Sequence, residues 1–294
     1  MSGWDFVQAA TYPPFPAGED SEDEDPDPND FAGHGTFVAG IVGALTDNLI
    51  GVSGTSPVCR LMPLRVGWSS SIAPSGLVDM SYVAEAVVYG VENGARVLNG
   101  SFETVSSSAL AAAFAAAARA GVYVVLASGN NGGPNDESRA SSLITVAATD
   151  EFDHVASFSN LGSFVDVSAP GTGIRSTALV STGTDSLSRR QPGYSLLSGT
   201  SFAAPMVSGA VALWDSRERS LGHRLLDPLN LALRLWDTAD DISAMNAGIT
   251  GYGGGRLNLE RLLTAPQVSR AFRAGARSIG PEVIVHERSG VRVA

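Results

Sequence analysis

Residues 122–127 read Val-Tyr-Val-Val-Leu-Ala, apolar at every position and rich in β-branched side chains. A strand with one wet face alternates between apolar and polar residues. A run without alternation belongs to a strand covered on both faces. The rest of the chain repeats this setting. An alanine-rich stretch, Ser108–Arg119, closed by Gly121, predicts a helix just before the run. Further helices are expected over 36–45, from a Ser75 cap to Glu92, over 201–214 and over 228–238, with strands over 61–66, 96–101, 143–148 and 164–167. Such alternation implies an α/β fold of three layers, a mostly parallel central sheet covered by helices on both faces. Sites in such sheets form at the carboxyl ends of the strands.

The chain has 294 residues, 44% of them hydrophobic, enough for one large domain. Residues 1–264 read as that domain, and 265–294, opened by Pro266, as an appended tail or the start of a further module. The formal charge of −11 argues against nucleic acid as a partner. No apolar run approaches the roughly 20 residues of a membrane helix, and no basic start with an apolar stretch comes after Met1. Cys59 is the single cysteine, so no internal disulfide supports the fold. Nothing in the sequence sets an oligomeric state.

Three segments carry chemistry. Gly33-His34-Gly35-Thr36 places a histidine at an expected helix start, between two small neighbours. Gly199-Thr200-Ser201 places a serine in the same kind of position. A serine hydroxyl becomes a nucleophile at neutral pH when a base takes its proton, and histidine is suited to that. Ala127-Ser128-Gly129-Asn130-Asn131-Gly132 comes directly after the apolar run. Acyl transfer passes through an oxyanion, and an asparagine amide beside a helix start can donate to it. Each segment alone has a plain structural reading, as a satisfied histidine, a helix cap or a turn. Their joint occurrence favours chemistry.

Taken together, the segments resemble the subtilisin-like serine proteases, the subtilases. The resemblance covers roughly residues 3–264 and includes Phe158-Ser159-Asn160-Leu161-Gly162, Val167-Ser168-Ala169-Pro170-Gly171 and Gly253-Gly254-Gly255-Arg256-Leu257-Asn258. It implies a serine endopeptidase acting on peptides or proteins, with Ser201 as nucleophile, His34 as base and Asn130 as oxyanion donor. It also implies a substrate cleft bordered by Ser101, Phe102 and Glu103 on one side and Ala127, Ser128 and Gly129 on the other. By the same resemblance the expected location is secreted or extracytoplasmic, and no cofactor is required.

The chain departs from the family's pattern in three places. The triad aspartate, in Asp-Thr-Gly or Asp-Ser-Gly upstream of the histidine, is absent from the sequence, and Gly3-Trp4-Asp5-Phe6 already resembles the family's segment downstream of that aspartate strand. The expectation is a catalytic domain that is N-terminally incomplete, inactive or weak as it stands; the alternative is a non-catalytic subtilase-like protein that binds peptides or partners. Second, Glu103 stands where the family has glycine. It can select a basic substrate residue, obstruct the cleft, or turn to solvent. Third, residues 19–30 form an acidic loop before His34. A solvated loop is expected there, with calcium as the other reading, since hard oxygen ligands cluster without the spacing of an EF-hand.

Overall fold

The computed structural model describes residues 3–8, 19–20, 24–69, 76–104, 107–134, 140, 142–179 and 193–266. Ser75 lies outside the described residues. In chain order the elements begin with β1 (Trp4–Asp5), α1 (His34–Gly43), β2 (Leu64–Arg65), β3 (Gly67–Trp68), β4 (Leu77–Val78) and α2 (Met80–Glu92). They continue with β5 (Val97–Gly100), α3 (Ser108–Arg119), β6 (Tyr123–Ala127), β7 (Gly133–Pro134), β8 (Leu143–Thr149), β9 (Asn160–Leu161) and β10 (Val167–Pro170). Last come β11 (Ile174–Thr177), β12 (Tyr194–Leu197), α4 (Thr200–Ser220), α5 (Pro228–Thr238) and α6 (Leu259–Thr264).

The central sheet is parallel, in the order β10-β8-β6-β5. Strand β6 explains the layers. Tyr123, Val125 and Ala127 pack with α4, α5 and α6 through Ala203, Val207, Trp214, Leu231, Leu235 and Leu262. Val124 and Leu126 pack on the opposite face with α2 and α3 through Val83, Val87, Leu110 and Phe114. Both residue sets are buried, so the run without alternation is a strand sealed on two sides, as expected. Helix α3 starts where the sequence places it, because the Ser107 hydroxyl accepts the Leu110 N–H.

Some boundaries differ from expectation. Helix α2 begins only at Met80, capped by Asp79, whose carboxylate accepts the Ser81 N–H, because Leu77 and Val78 first pair antiparallel with Trp68 and Gly67. The strand expected over 164–167 is Val167–Pro170 instead. Phe164 and Val165 turn into a satellite cluster with Ala147 and Leu161. Helix α4 runs past Trp214 to Ser220, because Asp215 and Glu218 are buried in ion pairs with Arg96, Arg219 and Arg217.

Strands β1 and β2 form a parallel pair of their own. Among the described residues no strand pairing joins β2 to β5. The two nevertheless share a roof: a Cβ on Gly90 of α2 would lie 2.8 Å from the Leu98 side chain of β5 and 3.6 Å from that of Leu64 on β2.

Candidate active site

His34 opens α1 because the chain turns sharply just before it. Gly33 has φ of +82°, a left-handed conformation that side chains resist. Asp30 completes this start. Its Oδ1 accepts the N–H groups of Ala32 at 3.0 Å and Gly33 at 2.8 Å, and its Oδ2 accepts that of Thr36 at 2.6 Å. The carboxylate therefore caps the helix from outside, where a negative charge is favoured. It does not hold the imidazole. Asp5 is no closer to that role: its oxygens take the Val7 N–H and the guanidinium of Arg65. Among the described residues no carboxylate is hydrogen-bonded to the His34 ring.

Helix α1 is held in place from two directions. The Ser176 hydroxyl donates to the Phe37 carbonyl at 2.7 Å and the Thr177 hydroxyl to that of Thr36 at 2.8 Å, which fastens β11 to the first turns. On the other side, Phe202 lies 4.6 Å from Phe37 and 5.6 Å from the His34 ring, centroid to centroid. Since Phe202 is next to Ser201, this packing brings the histidine and serine helix starts together. Burial pushes the His34 imidazole below its ordinary range, with the Asp30 charge opposing. The neutral ring, the form able to accept a proton, is thereby favoured.

Asn130 joins the same place by hydrogen bonds. Its Oδ1 accepts the Thr200 N–H at 2.8 Å and the Thr200 hydroxyl at 3.0 Å. The Thr200 hydroxyl oxygen in turn accepts the Gly129 N–H at 3.2 Å. With its carbonyl oxygen fixed, Asn130 directs its NH₂ group to the serine side: a Cβ on Gly199 would lie 3.8 Å from Nδ2. Asn160, buried behind this turn, accepts the Asn131 N–H at 2.9 Å and donates its own backbone N–H to Gly129. The sequence motifs contain Thr200 and Asn160, yet only the contacts reveal what they hold.

The expected cleft borders behave unequally. Ser101 is buried and its hydroxyl accepts from Asn99 Nδ2; Phe102 packs into the cluster under α2 and α3. Ala127, Ser128 and Gly129 are buried as well, so these five offer backbone rather than side chains. Glu103 is exposed and accepts a hydrogen bond from Asn131 Nδ2 at 2.7 Å.

The acidic loop is not simply solvated. The Glu19 side chain is buried, with its carboxylate accepting from Arg65 and from the N–H and hydroxyl of Ser69. Ligand oxygens of Asp5, Asp20 and Asp25 lie within 4.8 Å of one another. Burial raises Asp5 above the usual carboxylate range, against the lowering effects of the Val7 amide and Arg65. The hard oxygen donors of Asp5, Asp20 and Asp25 suit a divalent cation such as calcium.

The parallel α/β sheet and the named relatives make this chain a serine endopeptidase of subtilisin type, a hydrolase. A family model described as "Subtilase family" matches residues 7–261, and the chain belongs to that family. It is 36% identical to thermitase of Thermoactinomyces vulgaris over 261 residues, which cover 88% of this chain and 79% of that protein. It is equally 36% identical to a thermophilic serine proteinase of a Bacillus species, covering 84% of this chain and 56% of the other. Among solved structures, a protease of Pseudoalteromonas arctica superposes with a TM-score of 0.75 at 25% identity, covering 90% of this chain and 84% of that one.

Proposed function

We propose that the chain hydrolyses peptide bonds with Ser201 as nucleophile, His34 as general base and then acid, and Asn130 as oxyanion donor. The observation that carries this is the Thr200 relay, which fixes the Asn130 oxygen and so leaves its NH₂ group free to donate near Gly199, two residues before Ser201. In the forward step Ser201 Oγ attacks the scissile carbonyl and His34 takes the hydroxyl proton. The carbonyl oxygen, now negative, is met by Asn130 Nδ2 and the Ser201 amide at the start of α4. His34 then protonates the leaving amine, and water reverses the sequence on the acyl-enzyme.

In this reading the third member of the triad comes from a further parallel strand. What supports this is that β2 and β5 lie under the same helix without pairing. The further strand's carboxylate would meet the His34 ring, for which the described residues supply none. In triads of this type, loss of the acid costs about 10⁴-fold in turnover. Residues 1–294 alone should therefore cleave casein about 10⁴-fold more slowly than a complete subtilase. An N-terminal extension encoding a strand with Asp-Thr-Gly should restore hydrolysis. Cleavage at full subtilase rates by the 294-residue chain would overturn this reading, with Asp30 the first carboxylate to mutate. The same His34 observation favours a second reading, a protein that binds peptides without cutting them. Failure of the extended chain to cleave, with peptide binding intact, would support it.

The chemistry needs no cofactor. We place calcium, as a structural ion only, at Asp5, Asp20 and Asp25, where it would tie the acidic loop to β1. The substrate is a peptide or protein met outside the cytoplasm, as the family resemblance implies. No helix among the described residues is long and apolar enough to cross a membrane.

A further inference from the structure

Strands β5 and β6 run side by side in parallel, with Gly100 opposite Leu126. Just beyond their carboxyl ends the chain brings Glu103 against Asn131, whose Nδ2 donates to Glu103 Oε1 at 2.7 Å. Asn131 is itself anchored, its N–H bonded to the buried side chain of Asn160. Its neighbour Asn130 is bonded to Thr200, the residue before Ser201. Glu103 thus connects to the nucleophile through two hydrogen bonds and two peptide links. It stands on the rim of the cleft, on a frame shared with the oxyanion donor.

The chemistry of that contact is specific. A neutral amide orients a carboxylate without neutralising it. Among the described residues no cation pairs with Glu103, and the side chain is exposed. The contact leaves the carboxylate its remaining acceptor sites, with its direction already settled by Asn131. Ser101 and Phe102, its chain neighbours, are turned into the core, so Glu103 is the one charged group among the three that this rim presents.

We propose that Glu103, oriented by Asn131, selects peptides that carry arginine or lysine at the position seated against this rim. This selection rests on the reading of the cleft as a peptide site. A cation brought there makes a charge-assisted hydrogen bond in partly desolvated surroundings, which favours it about ten- to a hundredfold over an uncharged side chain of similar length. The chain's net charge of −11 adds a long-range attraction that salt removes. The contact itself survives salt, which separates the two effects.

The test is binding rather than turnover, so it does not depend on the triad acid. Fluorescein-labelled peptides of one scaffold, with arginine, lysine, norleucine or glutamate scanned through each position, are titrated with the 294-residue chain by anisotropy. At one position arginine and lysine should bind about ten- to a hundredfold tighter than norleucine. Most of that margin should remain in about 1 M salt, where the Debye length is about 3 Å. Glu103→Gln should bring the three to parity, and Glu103→Arg should turn the preference toward glutamate. Asn131→Ala should weaken the preference for arginine and lysine over norleucine. A cation preference that persists in Glu103→Gln overturns the proposal. So does a Glu103→Gln chain that binds every peptide more tightly by the same factor, since the carboxylate is then an obstruction. If norleucine peptides bind and cationic ones bind no better, the cleft reading stands and Glu103's role falls. If no peptide binds at all, both fall.

Discussion

Thr200 holds Asn130 by two hydrogen bonds to one oxygen, from its N–H at 2.8 Å and its hydroxyl at 3.0 Å. The residue before the proposed nucleophile therefore aims the proposed oxyanion donor. Thr200→Val keeps the backbone bond and removes the hydroxyl, which also receives the Gly129 N–H. Labelling of Ser201 by a fluorophosphonate should slow by roughly tenfold in this variant, about one neutral hydrogen bond's worth. Asn130→Ala should slow it by about 10²–10³-fold, as expected for removal of the donor itself. Equal rates in all three proteins would remove Asn130 from the mechanism.

Asp30 is a cap, and its loss should show in stability before it shows in chemistry. Three backbone N–H groups at the start of α1 depend on its two oxygens. Asp30→Ala should cost about 1–2 kcal/mol, and Asp30→Asn less, since an amide keeps one acceptor. For a domain of this size each kcal/mol moves Tm by roughly 2–4 °C, which calorimetry resolves. An unchanged Tm in Asp30→Ala would show that water replaces the cap without cost.

Much of this is legible in the sequence where one segment decides the outcome alone. Strand β6 needs only its own apolar run, and α3 only its alanines and the closing Gly121. Where a partner decides, the sequence misleads. Leu77 and Val78 look like the first turn of a helix until Gly67 and Trp68 pair with them. The helix expected to end at Trp214 continues because Arg96 reaches Asp215 from 119 residues away in sequence. The site divides in the same way. His34, Ser201 and Asn130 stand out by motif, whereas the roles of Thr200 and Asn160 and the Glu103–Asn131 contact arise from segments that meet only in the folded chain. Glu19 shows the converse: within an acidic run it reads as solvated, and Arg65 and Ser69 bury it.

The pH dependence of folding should carry the mark of His34. Burial lowers its folded pKa below the ordinary histidine value of 6.5, while Asp30 limits the shift. Below the unfolded pKa the unfolded chain binds more protons at this site than the folded one. Stability therefore falls as pH drops through the window under 6.5, and is regained as pH rises. The ring is half-buried, so the slope should be a fraction of the roughly 1.4 kcal/mol per pH unit that one whole proton gives. Urea unfolding between about pH 5 and 8, compared with His34→Gln, isolates this contribution. The variant should lose that part of the slope, and identical slopes would show that the imidazole titrates normally.

Arg65 links three features that lie far apart in sequence. Its guanidinium bonds Asp5 on β1, Glu19 and the Asp20 carbonyl of the acidic loop, and it sits on β2. The side chains of Asp5 and Glu19 are only 2% and 1% exposed, and that of Arg65 is 6% exposed, so removing the cation leaves two carboxylates buried without it. Breaking such a buried pair from one side costs about 3–5 kcal/mol. Arg65→Met should therefore lower Tm sharply, and the acidic loop should open to protease early in the transition. Calcium at Asp5, Asp20 and Asp25 would tie the same loop to β1. EDTA should lower the Tm of the parent chain, and the drop should grow in Arg65→Met, where the Arg65 tie is lost. Asp25→Asn should reduce the calcium effect while leaving the Arg65–Glu19 contact intact. A parent chain whose Tm ignores both calcium and EDTA would show that Arg65 suffices by itself, and the ion would then have no place in this loop.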